Sequence, residues 1–352
     1  MRFTFVGPVP PLPGGISHHS DRLVAALRNS GHEVEVISWR SQYPRFFYKG
    51  PRIDDAAQPL PGATFLLSWW NPISWWRARL QASATIVVFS YVTPFHALQL
   101  RVVAGGSKRS VGVVHNVRPH EQMPFEKLLV KLALGGSDRL VVHGARAAAD
   151  LKDLGLGSDV AIVPMPPTLE IAPSPLPSQP PLGLLFFGFV RPYKGLGVAI
   201  SAVKHLMQNG IDARLTVMGS FWEPIVGYQS QIESLGLGER VELREGYVSD
   251  RELADALRSH HIVVAPYLED TLSGVIPLAF SAGRPVVSTK VEGVSEQVED
   301  SLNGILVPAG DPGAFAGAIE QVAENLAAMA RAAAESTPTW SAVADVVAAP
   351  WP

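Results

Sequence analysis

The chain predicts a two-domain α/β fold built on parallel, doubly wound sheets, and three observations carry that reading. Short apolar runs of strand length alternate with stretches of helical periodicity through both halves. Residues 164–181, PMPPTLEIAPSPLPSQPP, hold eight prolines in 18 positions and split the alternation into two blocks. A length of 352 residues, 47% of them hydrophobic and 17% charged, exceeds one ordinary core and suits two domains.

The first block opens with RFTFVG (2–7), a strand, and continues through HHSDRLVAALRNSG, an amphipathic helix closed by Gly31. EVEVIS is the second strand. Between strand and helix lies PVPPLPGGIS, a loop in which Gly14 and Gly15 let backbone approach a ligand closely at a helix start. It is not G-x-G-x-x-G, so the dinucleotide fingerprint is absent. From Trp39 to Arg79 the chain is aromatic and basic without clear periodicity, gathering Tyr43, Phe46, Phe47, Trp69, Trp70, Trp75 and Trp76. Such rings suit core packing, sugar stacking and a lipid interface alike. TIVVFSY, SVGVVHN and RLVVHG then read as buried strands, alternating with helices PFHALQLRVVAG, EKLLVKLALGG and ARAAADLKDLG. Ligands of such sheets gather outside the carboxyl ends of strands, where His115 and Asn116 stand, with His120 and Glu121 in the next loop.

The prolines predict a semi-rigid, extended linker, placing the domains at 1–170 and 182–337 with the linker proper at 171–181. The alternation then restarts: LLFFGF, helix 196–209, ARLTVMG, helix 225–236, RVELREG, helix 250–259, HIVVAPY, helix 275–282, RPVVST, GILVP and a long Ala-rich helix over 312–336. WSAVADVVAA follows as a short amphipathic piece. The second block is organised around LLFFGFVRPYKG (184–195), where a strand ends at Gly188 and apolar positions Leu196, Ile200, Val203 and Met207 then recur at helical spacing. Between them stand Arg191, Lys194 and Gly195. A helix start with its partial positive charge suits a phosphate, Arg191 can fork onto two oxygens, and Lys194 adds a compact charge, so the pair fits a diphosphate.

Composition narrows the classes. Zero cysteines exclude disulfides, thiolate catalysis and cysteine-type zinc sites. Only five uncharged residues separate Arg2 from Pro8, no run approaches the length of a membrane span, and a cytoplasmic protein is expected. Residues 1–180 carry 18 Lys and Arg against 12 Asp and Glu, whereas residues 181–352 carry 11 against 20. The basic first half favours an anionic acceptor or peripheral contact with an anionic membrane. No basic stripe is dense enough for nucleic acid.

Taken together, PGGISHHSDRLVAAL with GHEVEVIS, then VVHN, GFVRPYKG, PYLEDTLSGVIPLAFSAGRPVVST and NGILVPAGDP resemble the retaining glycosyltransferases of family 4, in the family's order and over nearly the whole chain. The resemblance implies a GT-B architecture, two Rossmann-like domains facing a cleft, with residues 338–352 packing back on the first. It implies that Arg191 and Lys194 bind the donor diphosphate, that Gly14 and Gly15 approach the transferred sugar and phosphate, and that His115 lies by the sugar. Gly188, Val248, Leu272, Ser273, Gly274 and Val275 complete the candidate substrate-binding set, Ser273 and Gly274 as N–H donors at a helix start.

One departure stands out. The family usually carries two acids eight apart, one near the sugar hydroxyls and one gripping the ribose. Here the first falls on Glu269 or Asp270, and the second on Pro277 or Leu278, which are not acids. The Ser-Gly start of this segment is similar to a subgroup of the family. Glu292 and Glu296 are the nearest acids downstream. The expected activity is transfer of a sugar from a nucleoside diphosphate sugar, UDP- or GDP-linked, to a hydroxyl of a carbohydrate or lipid-linked acceptor in cell-surface polysaccharide, glycolipid or glycoconjugate synthesis. Neither cofactor nor metal is expected, because the cations neutralise the phosphates. A nucleotide-sugar epimerase, or a non-catalytic sugar-nucleotide-binding partner subunit, is the alternative.

Overall fold

Apolar runs flanked by glycine and proline become strands in the computed structural model, which describes residues 1–44, 53, 57–83, 85–107, 109–117, 125–157, 159–269 and 272–350. In chain order the elements are β1 (Arg2–Val6), α1 (Gly15–Asn29), β2 (Glu33–Ser41), β3 (Ala63–Ser68), α2 (Pro72–Ala82), β4 (Ile86–Tyr91), α3 (Ala97–Ala104), β5 (Arg109–Val114), α4 (Glu126–Leu134), β6 (Arg139–Val142), α5 (Ala145–Asp153) and β7 (Val160–Ile162). There follow β8 (Leu182–Phe187), α6 (Leu196–Gln208), β9 (Ala213–Gly219), α7 (Val226–Ser234), β10 (Val241–Glu245), α8 (Asp250–Ser259), β11 (Ile262–Ala265), α9 (Val275–Ser281), β12 (Val286–Thr289), α10 (Glu292–Ser295), β13 (Gly304–Val307), α11 (Pro312–Glu324), α12 (Leu326–Glu335) and α13 (Trp340–Ala348).

Two units result, Met1–Thr168 with Thr339–Pro352, and Leu169–Pro338. In the first the strands run β3-β2-β1-β4-β5-β6-β7, in the second β10-β9-β8-β11-β12-β13, and the pairings within both are parallel. Strand order reverses between β1 and β4 and again between β8 and β11, the points where open sheets of this kind take ligands. Apolar clusters cover both faces of each sheet, which is why the strands read as continuous apolar runs rather than alternating ones.

Several expectations change in the structure. Residues 39–79, without readable period, contain β3 and α2: α2 turns the small Ser74, Ala78 and Ala82 to the core and leaves Ile73, Trp76 and Leu80 exposed, so its stripe is inverted in size. The Ala-rich segment is two helices, parted at Asn325 where φ is −114°. Part of the proline-rich stretch packs rather than spans: Ile171 is buried, and the buried Arg284 donates to the carbonyl oxygens of Ser174 and Pro175. The final helix, α13, buries Trp340, Val343 and Val347 among Leu23, Val24 and Leu27 of α1, and Trp340 Nε1 donates to the Pro167 carbonyl at 2.8 Å. Among the described residues no helix is long and apolar enough to cross a membrane.

Candidate functional site

In the second unit the loop leaving β8 is held against the loop leaving β11. Gly195 adopts φ +68° at the start of α6, and a Cβ there would lie 2.0 Å from the Pro266 carbonyl oxygen, so only glycine fits. Leu268 donates its N–H to the Tyr193 carbonyl at 2.7 Å. These contacts bring Arg191 and Lys194 to the carboxyl ends of β8 and β11.

Neither cation makes an ion pair among the described residues. The Arg191 guanidinium lies 3.9 Å from the ring centroid of Trp222, and its Nε is buried without a hydrogen-bond partner among the described residues. Lys194 stands over Tyr267, its Nζ 5.6 Å from the ring centroid, and close to Gly188, where a Cβ would come within 3.4 Å of Nζ. Burial, and then the neighbouring Arg191 charge, push the Lys194 ammonium down to about 8. Two like charges held together with no ion-pair partner among the described residues leave positive potential for an anion.

Around them the structure gathers Gly188, Val275, buried at the start of α9, and Ser273, whose Oγ meets the Tyr267 hydroxyl at 2.9 Å. One expectation is corrected. The Ser273 N–H is spent on Gln297 Oε1 at 2.8 Å, and the Val275 N–H on Ser273 Oγ at 3.2 Å, so Ser273 is not a free amide donor. Gly274 remains exposed. Val248 and Leu272 are half-buried, and Glu269 is exposed on the loop after β11. Asp270, like His120, Glu121, Phe46 and Phe47, lies outside the described residues. Pro277 and Leu278 are both buried, so this helix face is core rather than a ribose contact, and Glu292 and Glu296 are exposed at α10.

In the first unit Gly14 begins α1 with φ +107° and no side-chain cap, and no acid occupies the first turn. A cavity of about 290 Å³ opens there, lined by Gly14, Gly15, Ser17, Arg40, Gln42 and Tyr43 among others. The Ser17 hydroxyl is buried and has no partner among the described residues. His115 follows β5, donates its backbone N–H to the Tyr91 carbonyl, and has its Nε2 2.9 Å from Ser90 Oγ. Desolvation and then His143 hold its imidazole down at about 3, so it stays neutral and acts through hydrogen bonds.

Two family models match the chain, one described as Glycosyltransferase Family 4 over residues 13–166, the other as Glycosyl transferases group 1 over residues 181–325. Each model matches less than half of the chain, the first within the first unit and the second within the second. The chain is 32% identical over 179 residues to a phosphatidyl-myo-inositol mannosyltransferase of Mycobacterium leprae, a match covering 48% of the chain and 46% of the relative. The chain thus spans less than half the length of that relative. A protein of the same name from Mycolicibacterium smegmatis is 24% identical over 358 residues, 89% of the chain and 82% of the relative. Among solved structures, Anabaena HepE in complex with UDP superposes with a TM-score of 0.65 at 17% identity, covering 99% of the chain and 96% of HepE. That likeness is one of fold: two parallel-sheet α/β units, the GT-B architecture.

Residues that the sequence did not single out complete the site. Trp222 backs Arg191, Tyr267 backs Lys194, and Gln297 bridges α10 to the start of α9, its Nε2 donating to the Ser273 carbonyl at 2.9 Å. Tyr267 stands directly after an apolar strand, a position that marks ligand loops in such sheets. Nothing local in the sequence marks Trp222.

Proposed function

We propose that the chain is a retaining glycosyltransferase that moves a sugar from a nucleoside diphosphate sugar, UDP- or GDP-linked, to an acceptor hydroxyl. The observation that carries this reading is the placement of Arg191 and Lys194 at the switch point of the second sheet with no ion-pair partner among the described residues, the Arg191 Nε being buried without a hydrogen-bond partner among them. As the glycosyl–phosphate bond breaks, negative charge grows on the leaving diphosphate, and fixed cations aimed at that charge stabilise the transition state more than the ground state. The two cations take the part that a metal plays elsewhere, so the leaving group needs none. Gly188, Val248, Leu272, Gly274 and Val275 would surround the donor, Glu269 or Asp270 would hold sugar hydroxyls, and neutral His115 would position the sugar.

The acceptor is read as a carbohydrate or lipid-linked hydroxyl met by the first unit, in the cavity beside Gly14 and Gly15. A peripheral membrane contact of the same unit supports that reading. On neighbouring helices α2, α3 and α4, Ile73, Trp76, Leu80, Leu98 and Leu128 are exposed beside Arg77, Arg79, Arg101, Lys127 and Lys131. Large apolar side chains between cations favour an anionic lipid surface, so a cytoplasmic location at the inner membrane face fits.

The test is nucleoside diphosphate release from a panel of UDP- and GDP-sugars, with and without acceptor lipids in anionic vesicles. Release that requires an acceptor, and that falls in an Arg191→Ala variant, is the expected result. Turnover of donor alone into an isomeric sugar nucleotide would replace the transferase by an epimerase. Activity untouched by the Arg191→Ala, Lys194→Ala pair would remove the site.

A further inference from the structure

The first unit holds a side-chain cluster that the glycosyl-transfer reading uses only in part. His19 on the second turn of α1, His115 after β5 and His143 after β6 each offer a ring nitrogen, and these three atoms lie within 4.8 Å of one another. His19 and His143 are 3% and 5% exposed, His115 is half-buried, and the group contains no carboxylate among the described residues. The sequence scatters the three over 124 positions, so only the fold assembles them.

Hydrogen bonding fixes where the lone pairs lie. The Val163 carbonyl oxygen can only accept, so His143 donates to it through Nδ1 at 2.9 Å, and the neutral ring keeps its lone pair on Nε2. A backbone carbonyl orients metal-ligating imidazoles in this same way. His19 Nε2 lies 2.9 Å from His143 Nε2, a contact that one proton must bridge. A divalent cation can take the place of that proton, drawing both lone pairs and the nearby His115 nitrogen onto one centre.

We propose that His19, His115 and His143 form a binding site for a first-row divalent cation of the zinc class, held by three neutral imidazoles with a fourth position open to water or a ligand. Zinc sites of this composition have nitrogens at about 2.0–2.1 Å from the metal, so the present triangle closes by shifts of roughly 1 Å or less. An all-imidazole set suits Zn²⁺, Co²⁺ or Ni²⁺ and is wrong for Mg²⁺ or Ca²⁺, which require oxygen ligands. The partial exposure of His115 leaves the open position on its side. On the other side Trp340 of α13 packs against His19 with ring centroids 4.7 Å apart. The ion would therefore staple α1 to the ends of β5 and β6 directly beneath the C-terminal helix. The site is independent of the diphosphate chemistry, which belongs to cations of the second unit. With an ion bound, its fourth position supplies the polar contact that His115 alone supplies otherwise.

The experiment uses the full chain, stripped with a chelator, dialysed and titrated with Co²⁺ alone and with Zn²⁺ alone. One equivalent of Co²⁺ should give the visible bands of a four-coordinate ion, one equivalent of Zn²⁺ should bleach them, and Zn²⁺ should raise Tm by several degrees. His19→Gln and His143→Gln, whose amides retain hydrogen-bonding capacity, should each weaken binding by tenfold or more, whereas His205→Gln, exposed on α6, should not. A wild-type chain that holds neither ion stoichiometrically overturns the site without any variant being made. Unchanged Co²⁺ bands in both folded glutamine variants also overturn it.

Discussion

The two units use one device at corresponding places and finish it differently. Each sheet sends a loop from its first strand to a helix that begins at a positive-φ glycine without a side-chain cap, Gly14 in one and Gly195 in the other. At Gly195 the Pro266 carbonyl fills the space where a Cβ would go, and two cations flank the turn; at Gly14 nothing lies within 4 Å and a cavity opens. One loop is rigid and charged, fit for a constant group such as a diphosphate. The other is open and mainly neutral, which under the proposed function suits an acceptor. The scaffold chooses where ligands go, and the loop residues choose which.

The sharpest way to break this contrast is one methyl group at each glycine. Gly195→Ala must displace a carbonyl that ties two loops together as well as strain φ, and should destabilise the second unit by more than about 4 kcal/mol, at the severe end for single substitutions. Gly14→Ala meets no atom and should cost only the strain of its φ, about 1–3 kcal/mol. Denaturant unfolding of both variants decides: equal losses would mean that the two turns are not differently packed.

Next in size are the cations. Arg191→Ala or Lys194→Ala should each lower kcat/KM for the donor by about 10²–10³, the loss typical of removing one preorganised stabiliser of developing charge. Arg40→Ala, beside the open loop, should raise the KM of an acceptor and leave that of the donor alone. Steady-state kinetics with each substrate varied would erase the proposed division of labour if both variants moved the same constant.

How much of this was legible depended on whether a signal was local. LLFF, IVVF and VVHN announce strands because both faces of each sheet are covered, and Arg191, Lys194 and Gly195 sit within five residues of each other at a strand-to-helix turn. Helix α2 escaped because its core contacts are Ser74, Ala78 and Ala82 while its largest apolar residues face outward, so apolar size and burial point in opposite directions. The break at Asn325 carries neither glycine nor proline. The three histidines and the Trp222–Arg191 stack are products of topology, visible only after strand order is known.

The cation corner also predicts a pH dependence. In the free chain Lys194 is charged below about 8; a bound diphosphate raises that value, so above 8 binding must take up a proton. Donor Kd should be flat from pH 6 to 7.5 and then rise, at most tenfold per pH unit, until the bound-state value is reached. Because Arg191 is part of what depresses Lys194, an Arg191→Gln variant should bind more weakly at neutral pH yet keep its residual affinity to higher pH. Calorimetry in buffers of different ionisation heat would show the proton uptake, and its absence at pH 9 would place Lys194 away from the phosphate.

The smallest effect concerns Trp222. Its ring, 62% exposed, makes few core contacts, so removing it should leave Tm nearly unchanged. It lies against the Arg191 guanidinium at 3.9 Å, an exposed cation–π contact worth about 0.5–1 kcal/mol, so Trp222→Leu should weaken donor binding about two- to fivefold while Trp222→Phe keeps most of it. Because the indole touches the group proposed to meet the phosphates, donor binding should also change its fluorescence, and that change should vanish in Trp222→Phe. If Leu and Phe behave alike and the fluorescence response persists in both, Arg191 is held by its own loop, and the rigidity of this corner resides in the backbone lock at Gly195 alone.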